Sequence, residues 1–210
     1  MSPEIPGYST RELSSKTWAD FEKLFRKPGE WGACWCMHYQ RARPLKESVG
    51  KKMTVAQRIE KNRKDKKDLV DRGCSHGILV FDRTEPIGWC QYGPMEELPR
   101  IDAGRKYRKI SLDNKGKRLW RVTCFCVDRK YRNRGVASLG LQAALHSIGK
   151  KGGGLVEAYP ATRRGALAVW FGTVSMFEDQ GFALVAPFGK SNVLMRRSVK
   201  NGFSGRVKHH

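Results

Sequence analysis

The chain has 210 residues, 40% of them hydrophobic and 10% aromatic, and its 41 Lys+Arg against 20 Asp+Glu give a formal charge of +21. That length and apolar content exclude a disordered tail and fit one domain with a substantial core. No apolar run approaches the roughly 18 residues of a membrane span, and residues 1–10 lack the basic-then-apolar order of a secretory signal, so a cytoplasmic protein without a membrane partner is expected.

Residues 8–13 alternate as a first strand. Thr17 reads as a helix N-cap, with Asp20 in the first turn and Phe21, Leu24 and Phe25 at helical spacing; Pro28-Gly29 ends that helix. Residues 31–39, Trp-Gly-Ala-Cys-Trp-Cys-Met-His-Tyr, are dense in rings and sulfur. Thr54 caps a second helix running to about Val70. The period then becomes that of strands at 77–81 and 86–92, joined by a hairpin-length connection at 82–85. Residues 94–117 are polar, with Gly104, Gly116 and an Asp113-Asn114 turn signal, and read as loop.

Residues 119–127 form a strand, and 135–148 a helix whose Leu139, Leu141, Ala144, Leu145 and Ile148 supply an apolar face. Three glycines, 152–154, break the chain before a strand at 155–159. Residues 174–180 are helical with Gly181 placed to end them, and 182–186 and 193–197 are the last strands. The order is β-α-α-β-β-β-α-β-α-β-β: one mixed α/β domain over 1–199, with a disordered tail expected at 200–210.

Basic charge concentrates at 41–72 and 100–121. Either segment is a nucleic-acid footprint or simply a solvated face, and both readings stay open. The six cysteines include two Cys-x-Cys pairs, Cys34/Cys36 and Cys124/Cys126. Zinc pairs are usually Cys-x2-4-Cys in turns, whereas Cys124 and Cys126 lie in a strand, so reduced thiols and no metal are expected. Such cysteines serve as small buried hydrophobes. A nucleophilic role for Cys36 or Cys126 needs a thiolate-stabilising neighbour, which the sequence does not show.

The chemistry concentrates in Val127-Asp-Arg-Lys-Tyr-Arg-Asn-Arg-Gly-Val-Ala137. A strand ends, a basic loop turns, and a helix begins at Gly135, which aims unpaired backbone N–H groups and the positive helix end at one spot. A pyrophosphate fits there. Gly135 lets it approach the backbone, and Arg132 and Arg134 add charge-assisted donors. The glycine patterns of Walker and Rossmann loops are absent.

Arg132-x-x-Gly135-x-Ala137 after a strand resembles the Arg/Gln-x-x-Gly-x-Gly/Ala motif of the GNAT (Gcn5-related N-acetyltransferase) superfamily. The stretch Glu85-Pro-Ile-Gly-Trp-Cys-Gln-Tyr92 resembles its second and third strands. Met176-Phe-Glu-Asp-Gln-Gly-Phe182 resembles its late helix, and the element order matches over 8–198. The segment at 31–39 is similar to that of a poorly defined bacterial subgroup.

The resemblance implies a mixed, mostly antiparallel sheet of about seven strands with about four helices, the fourth and fifth strands splayed. It implies acetyl-CoA as co-substrate, held by Cys126, Val127, Arg132, Asn133, Arg134, Gly135, Val136, Ala137 and Ser138, and direct attack by an amine in a ternary complex. Glu157, on the splayed strand, is the candidate base, with His38 as the second choice. Trp35, His38 and Tyr159 are the candidate acceptor pocket, although Trp31, Trp35 and Tyr39 serve equally well as core. The family's acid tyrosine is Phe177 here, and a phenyl ring donates no proton. The acceptor is a small-molecule amine in preference to a protein amine or an aminoacyl-tRNA, and the oligomeric state is open between monomer and homodimer. The rival readings are a non-catalytic acyl-CoA-binding module and an RNA-associated or nucleic-acid-binding protein.

Overall fold

The structure, a computed structural model, describes residues 7–27, 33–45, 53–110, 112, 116–163 and 165–202. Pro28-Gly29, Trp31, Asp113-Asn114 and the terminal His209-His210 lie outside the described residues. Strands β1 (Tyr8–Glu12), β2 (His76–Asp82), β3 (Glu85–Pro94), β4 (Leu119–Val127), β5 (Gly154–Ala158), β6 (Ala183–Pro187) and β7 (Val193–Val199) build one sheet in the order β1-β2-β3-β4-β5-β7-β6. Every neighbouring pair is antiparallel except β4–β5, which is parallel.

Among the described residues seven α-helices accompany the sheet: α1 (Trp18–Arg26), α2 (Val55–Asp71), α3 (Arg100–Ala103), α4 (Arg105–Arg108), α5 (Val136–Lys150), α6 (Ala166–Phe171) and α7 (Val174–Glu178). Those at α1, α2, α5 and α7 were legible from period and caps; Thr54, for instance, accepts from Gln57 N, and the Gln57 side chain answers the Thr54 N–H. Reading 94–117 wholly as loop is corrected by α3 and α4. Tertiary contacts stabilise these short turns: Ile101 is buried, and Asp102 accepts two hydrogen bonds from Arg121. Residues 166–171 carried no assignment, because six residues are too short to display a helical period.

Strand alternation divides the core. Ile78 and Cys90 face α5 and meet its Leu141, Ala144 and Ile148. Leu79, Phe81 and Trp89 face the opposite side, where α1 presents Phe21, Leu24 and Phe25 around Trp35. A Cβ on Gly88 would lie 2.4 Å from Val136 Cγ1, so the first residue of α5 rests directly on β3. Val80, Ile87, Val127 and Leu139 pack around that contact and fix the β4–α5 junction.

One irregularity shapes the sheet. Gln91 pairs with Cys124 and Tyr92 with Val122, so Thr123 is an extra, bulged residue on β4. The parallel ladder from Leu119↔Leu155 ends at Val122↔Ala158, beside that bulge. From Thr123 to Val127 β4 runs on without a β5 partner, which is the splay the family resemblance implies.

Gly202 N donates to Gly149 O at 2.9 Å, so 200–202 pack against the end of α5, and 203–210 lie outside the described residues. Among the described residues no helix is long and apolar enough to cross a membrane.

Candidate active site

The β4–α5 junction forms a concave set of donors. Asn133 (φ 62°) and Gly135 (φ 77°) both adopt left-handed backbone, and the first helical hydrogen bond runs from Leu139 N to Gly135 O at 2.9 Å. The N–H groups of Val136, Ala137 and Ser138 therefore have no intrahelical acceptor and point out of the helix start, where the dipole favours an anion. Successive left-handed and right-handed residues curve such N–H groups into an anion nest.

The loop is clamped from both sides. Asp128 N donates to Ile87 O at 2.8 Å, and Asp128 Oδ1 accepts from Lys130 N at 3.1 Å. Lys27 Nζ reaches Pro86 O (2.9 Å), Asp128 Oδ2 (3.0 Å) and Glu85 Oε1 (2.8 Å), tying α1 to the hairpin and the loop. Burial alone would raise Asp128; hydrogen bonds and charge from Lys27 outweigh it and hold the carboxyl below its ordinary value.

A cavity of about 420 Å³ opens over this junction, lined on one side by Val127, Tyr131, Arg132, Asn133, Gly135, Val136, Ala137 and Ser138. Gly165, Ala168 and Val169 of the α6 region and Gly172, Thr173 and Met176 close the other side. Seven of the nine candidate coenzyme residues thus share one wall. Cys126 and Arg134 do not line it. The Cys126 side chain is buried on the opposite face, and Arg134 lies over the Tyr131 ring at 5.7 Å.

A second cavity, of about 320 Å³, is lined by Ala33, Cys34, Cys36, His38, Tyr39, Gln91, Cys124, Trp170 and Phe171. Helix α6 stands between the two, presenting Ala168 and Val169 to the first and Trp170 and Phe171 to the second. Strand β4 runs under both, with Val127 in one wall and Cys124 in the other. A third cavity of about 440 Å³ adjoins the second through Ala33, Cys34 and His38 and is rich in cations, with Arg41, Arg43, Arg58 and Arg100 in its wall.

The candidate acceptor residues separate. His38 lines the second and third cavities, at their junction. Desolvation of its inner edge, then the charge of Arg100, hold His38 below the ordinary imidazole value, with Cys36 acting in the opposite sense, although much of the ring meets solvent. Tyr39 joins it, edge-on to Phe171 at 6.5 Å. Trp35 is buried between Trp18, Phe21 and Phe25, so it is core and not cavity wall. Tyr159 is buried as well and donates to Glu157 Oε2 at 2.6 Å.

Glu157 lines none of these three cavities. Its Oε1 accepts from Arg196 Nε (3.0 Å) and Nη2 (2.6 Å), and Tyr107 OH bridges both oxygens at 3.0 and 2.9 Å. Arg121 Nε stands 3.5 Å from Oε2. A carboxylate offers about four lone-pair sites, and all are taken. The side chain is fully buried and holds β4, β5 and β7 together; it has no acceptor capacity left for a substrate proton. The Phe177 ring is equally enclosed, against Phe125 and Phe182 at 6.0 and 5.1 Å.

Sequence reasoning missed α6, Tyr107 and the pair Arg121–Arg196. The alternation along β4 and β7 was the available signal for the arginines, since each falls on a strand position beside β5. The basic segment at 41–72 resolves largely into a helix whose charges pair along its own surface, as in Lys61–Asp65, Arg63–Glu60 and Lys67–Asp71.

The sequence matches the model of the acetyltransferase (GNAT) family over residues 39–170. Among solved structures, a putative GNAT acetyltransferase from Desulfovibrio desulfuricans superposes with a TM-score of 0.52 at 13% identity, covering 91% of this chain and 99% of its own. A GNAT N-acetyltransferase from Escherichia coli in complex with CoA gives 0.51 at 14% identity, covering 96% and 86%. A ribosomal L7/L12 alpha-N-protein acetyltransferase gives 0.50 at 12%, covering 95% and 98%. No curated protein matches the sequence. With a family model spanning more than half its length and a sheet that splays beside the motif-bearing loop, the chain belongs to the GNAT acetyltransferase family.

Proposed function

We propose that this chain is an acetyl-CoA-dependent N-acyltransferase whose amine acceptor attacks the thioester directly in a ternary complex. One observation carries the reading: two cavities flank α6 and share β4 as their floor, so a donor in one and an acceptor in the other meet over the unpaired edge of β4. The pyrophosphate would rest on the N–H groups of Val136, Ala137 and Ser138, with Arg132 beside it. The pantetheine arm would then pair with β4 between Thr123 and Val127, where no strand does, and an N–H of that edge would polarise the thioester carbonyl.

The amine nitrogen attacks the carbonyl carbon, the C–N bond forms, and the C–S bond breaks with the electron pair leaving on sulfur. We assign the amine proton to His38, whose depressed basicity keeps the ring neutral at pH 7 and whose position is the acceptor cavity. Glu157 is instead a positioning carboxylate, its oxygens already filled. With Phe177 enclosed, the thiolate leaves without a phenol; its conjugate acid has a pKa near the 8.5 or so of a free thiol, which makes it a tolerable leaving group. The arginines of the adjoining cavity favour an acceptor that carries an anionic group, so amino acids, aminophosphates and aminoacyl-RNA belong beside neutral amines in an assay panel.

The test is CoA release with that panel as a function of pH. Native turnover should reach its plateau at or below pH 7 once free amine is accounted for, because a lowered imidazole pKa places the rising limb on the acid side. His38→Gln should lose that limb and fall by ~10²-fold or more at neutral pH. A His38→Gln profile indistinguishable from native would assign the proton to water. Acetyl-CoA binding with no turnover on any amine would favour the non-catalytic acyl-CoA-binding reading, which the enclosed Phe177 also suits.

A further inference from the structure

Three cysteines from two distant segments of the chain converge beneath the acceptor cavity. Cys124 and Cys126, two apart on β4, direct their sulfurs to one face, and Cys36 meets them from the opposing loop. The Cys36 and Cys124 sulfurs are 3.5 Å apart, and all three lie within 4.8 Å of one another. Around a tetrahedral zinc with Zn–S near 2.3 Å, sulfurs stand about 3.8 Å apart, so the trio needs only small adjustment to close on one ion. Trp35 and Cys36 both take left-handed backbone (φ 49° and 47°), and this turn directs Cys36 inward. Gln91 holds it there, donating to Cys36 O at 2.9 Å while accepting from the bulged Thr123 at 3.1 Å.

The surroundings are those of a buried anion. Lys66 is fully buried, its Nζ 5.4 Å over the Trp89 ring and hydrogen-bonded to Gln40 Oε1 at 2.6 Å. Among the described residues no carboxylate pairs with it. A buried ammonium whose hydrogen-bond partner is a neutral amide is costly, and a nearby anionic centre offsets that cost. The Trp89 indole, on the strand register opposite Cys126, has a buried N–H with no hydrogen-bond partner among the described residues. An indole N–H at Trp89 is a donor that suits thiolate sulfur.

We propose that Cys36, Cys124 and Cys126 form a tris-thiolate site for one thiophilic divalent metal ion, with zinc as the class representative. Binding releases the three thiol protons to solvent. Three thiolates and a divalent ion carry a net single negative charge, which the Lys66 ammonium balances. Cys36 and Cys124 also line the acceptor cavity, so the ion has an entry path, and its fourth position faces that cavity, open to water or to Cys34 on the rim. The ion would pin the loop carrying Cys34 to His38 onto β4, and thereby set the acceptor wall. This reverses the expectation of no metal, which rested on spacing along the chain; the ligand set is assembled by tertiary contact.

The test uses full-length protein, stripped with chelator and reduced under anaerobic conditions, then titrated with cobalt(II). A near-ultraviolet thiolate-to-cobalt band should saturate at about one equivalent and be displaced by zinc. The band should be lost or blue-shifted and weakened in Cys36→Ser, Cys126→Ser and Cys124→Ala, and kept in Cys74→Ser, whose thiol is exposed and outside the cluster. The native titration stands even if a variant fails to fold. Absence of a saturable band in reduced native protein would overturn the site, as would a band that persists unchanged when Cys36 and Cys126 are both replaced.

Discussion

Glu157→Gln is expected to lower the melting temperature by roughly 6–20 °C while leaving CoA affinity intact. The carboxylate is the meeting point of Arg121, Arg196, Tyr107 and Tyr159 at the centre of the sheet, with no exposed surface. Removing one partner of a buried ion pair costs about 3–5 kcal/mol because the remaining charge is left uncompensated. At this chain length each kcal/mol is worth about 2–4 °C. Glutamine keeps the volume but loses the charge that Arg121 and Arg196 face, and these two guanidinium groups can only donate. Arg121 retains Asp102, which places the expected loss toward the lower half of that range. A second change, Arg196→Met, should recover part of the loss by removing a stranded cation. Scanning calorimetry decides the matter: an unchanged melting temperature with turnover down by ~10²-fold would restore Glu157 as the base.

Gly135→Glu is expected to weaken CoA binding by roughly 10²-fold or more, the equivalent of one or two charge-assisted hydrogen bonds. Two effects add. Gly135 caps α5 at φ 77°, ψ 0°, where a side chain costs about 1–2 kcal/mol. The carboxylate then occupies the pyrophosphate's place and repels it. Gly135→Ala separates the two, keeping the strain and adding no charge, so its loss should be several-fold smaller. Isothermal titration with CoA measures both, and an unchanged dissociation constant for Gly135→Glu would move the phosphates elsewhere.

The parts of this molecule that were legible in sequence are those whose physics is local. The period along β2 to β4 and α5, the Thr54 cap and the strand-loop-Gly135-helix junction each depend on neighbours a few residues away. The other half of the site depends on distant ones. Cys36 meets Cys124 across 88 positions of chain, and Glu157 gathers partners 36, 39 and 50 residues away. A glutamate on the splayed strand therefore reads as a free base in sequence and is a saturated ion-pair centre in the fold. Trp35 had two readings, and stacking on Trp18 and Phe25 decides for the core. Helix α6 was hidden by its brevity, yet it stands between the two cavities. The Thr123 bulge left no trace in the alternation of β4, since an added residue is detectable only against its partner strand.

The central claim is that one wall, from Val127 to Ser138, receives the coenzyme pyrophosphate while the unpaired edge of β4 receives its thiol arm. The measurement that tests it most directly is a crystal structure with CoA soaked or co-crystallised. The pyrophosphate oxygens should lie within hydrogen-bond reach, about 2.7–3.2 Å, of the backbone nitrogens of Val136, Ala137 and Ser138. The pantetheine should run alongside Thr123–Val127, with the sulfur on the α6 side of β4, facing the cavity that holds His38. Density for the phosphates on the arginines of the third cavity, or a pantetheine arm that leaves β4 untouched, would contradict it.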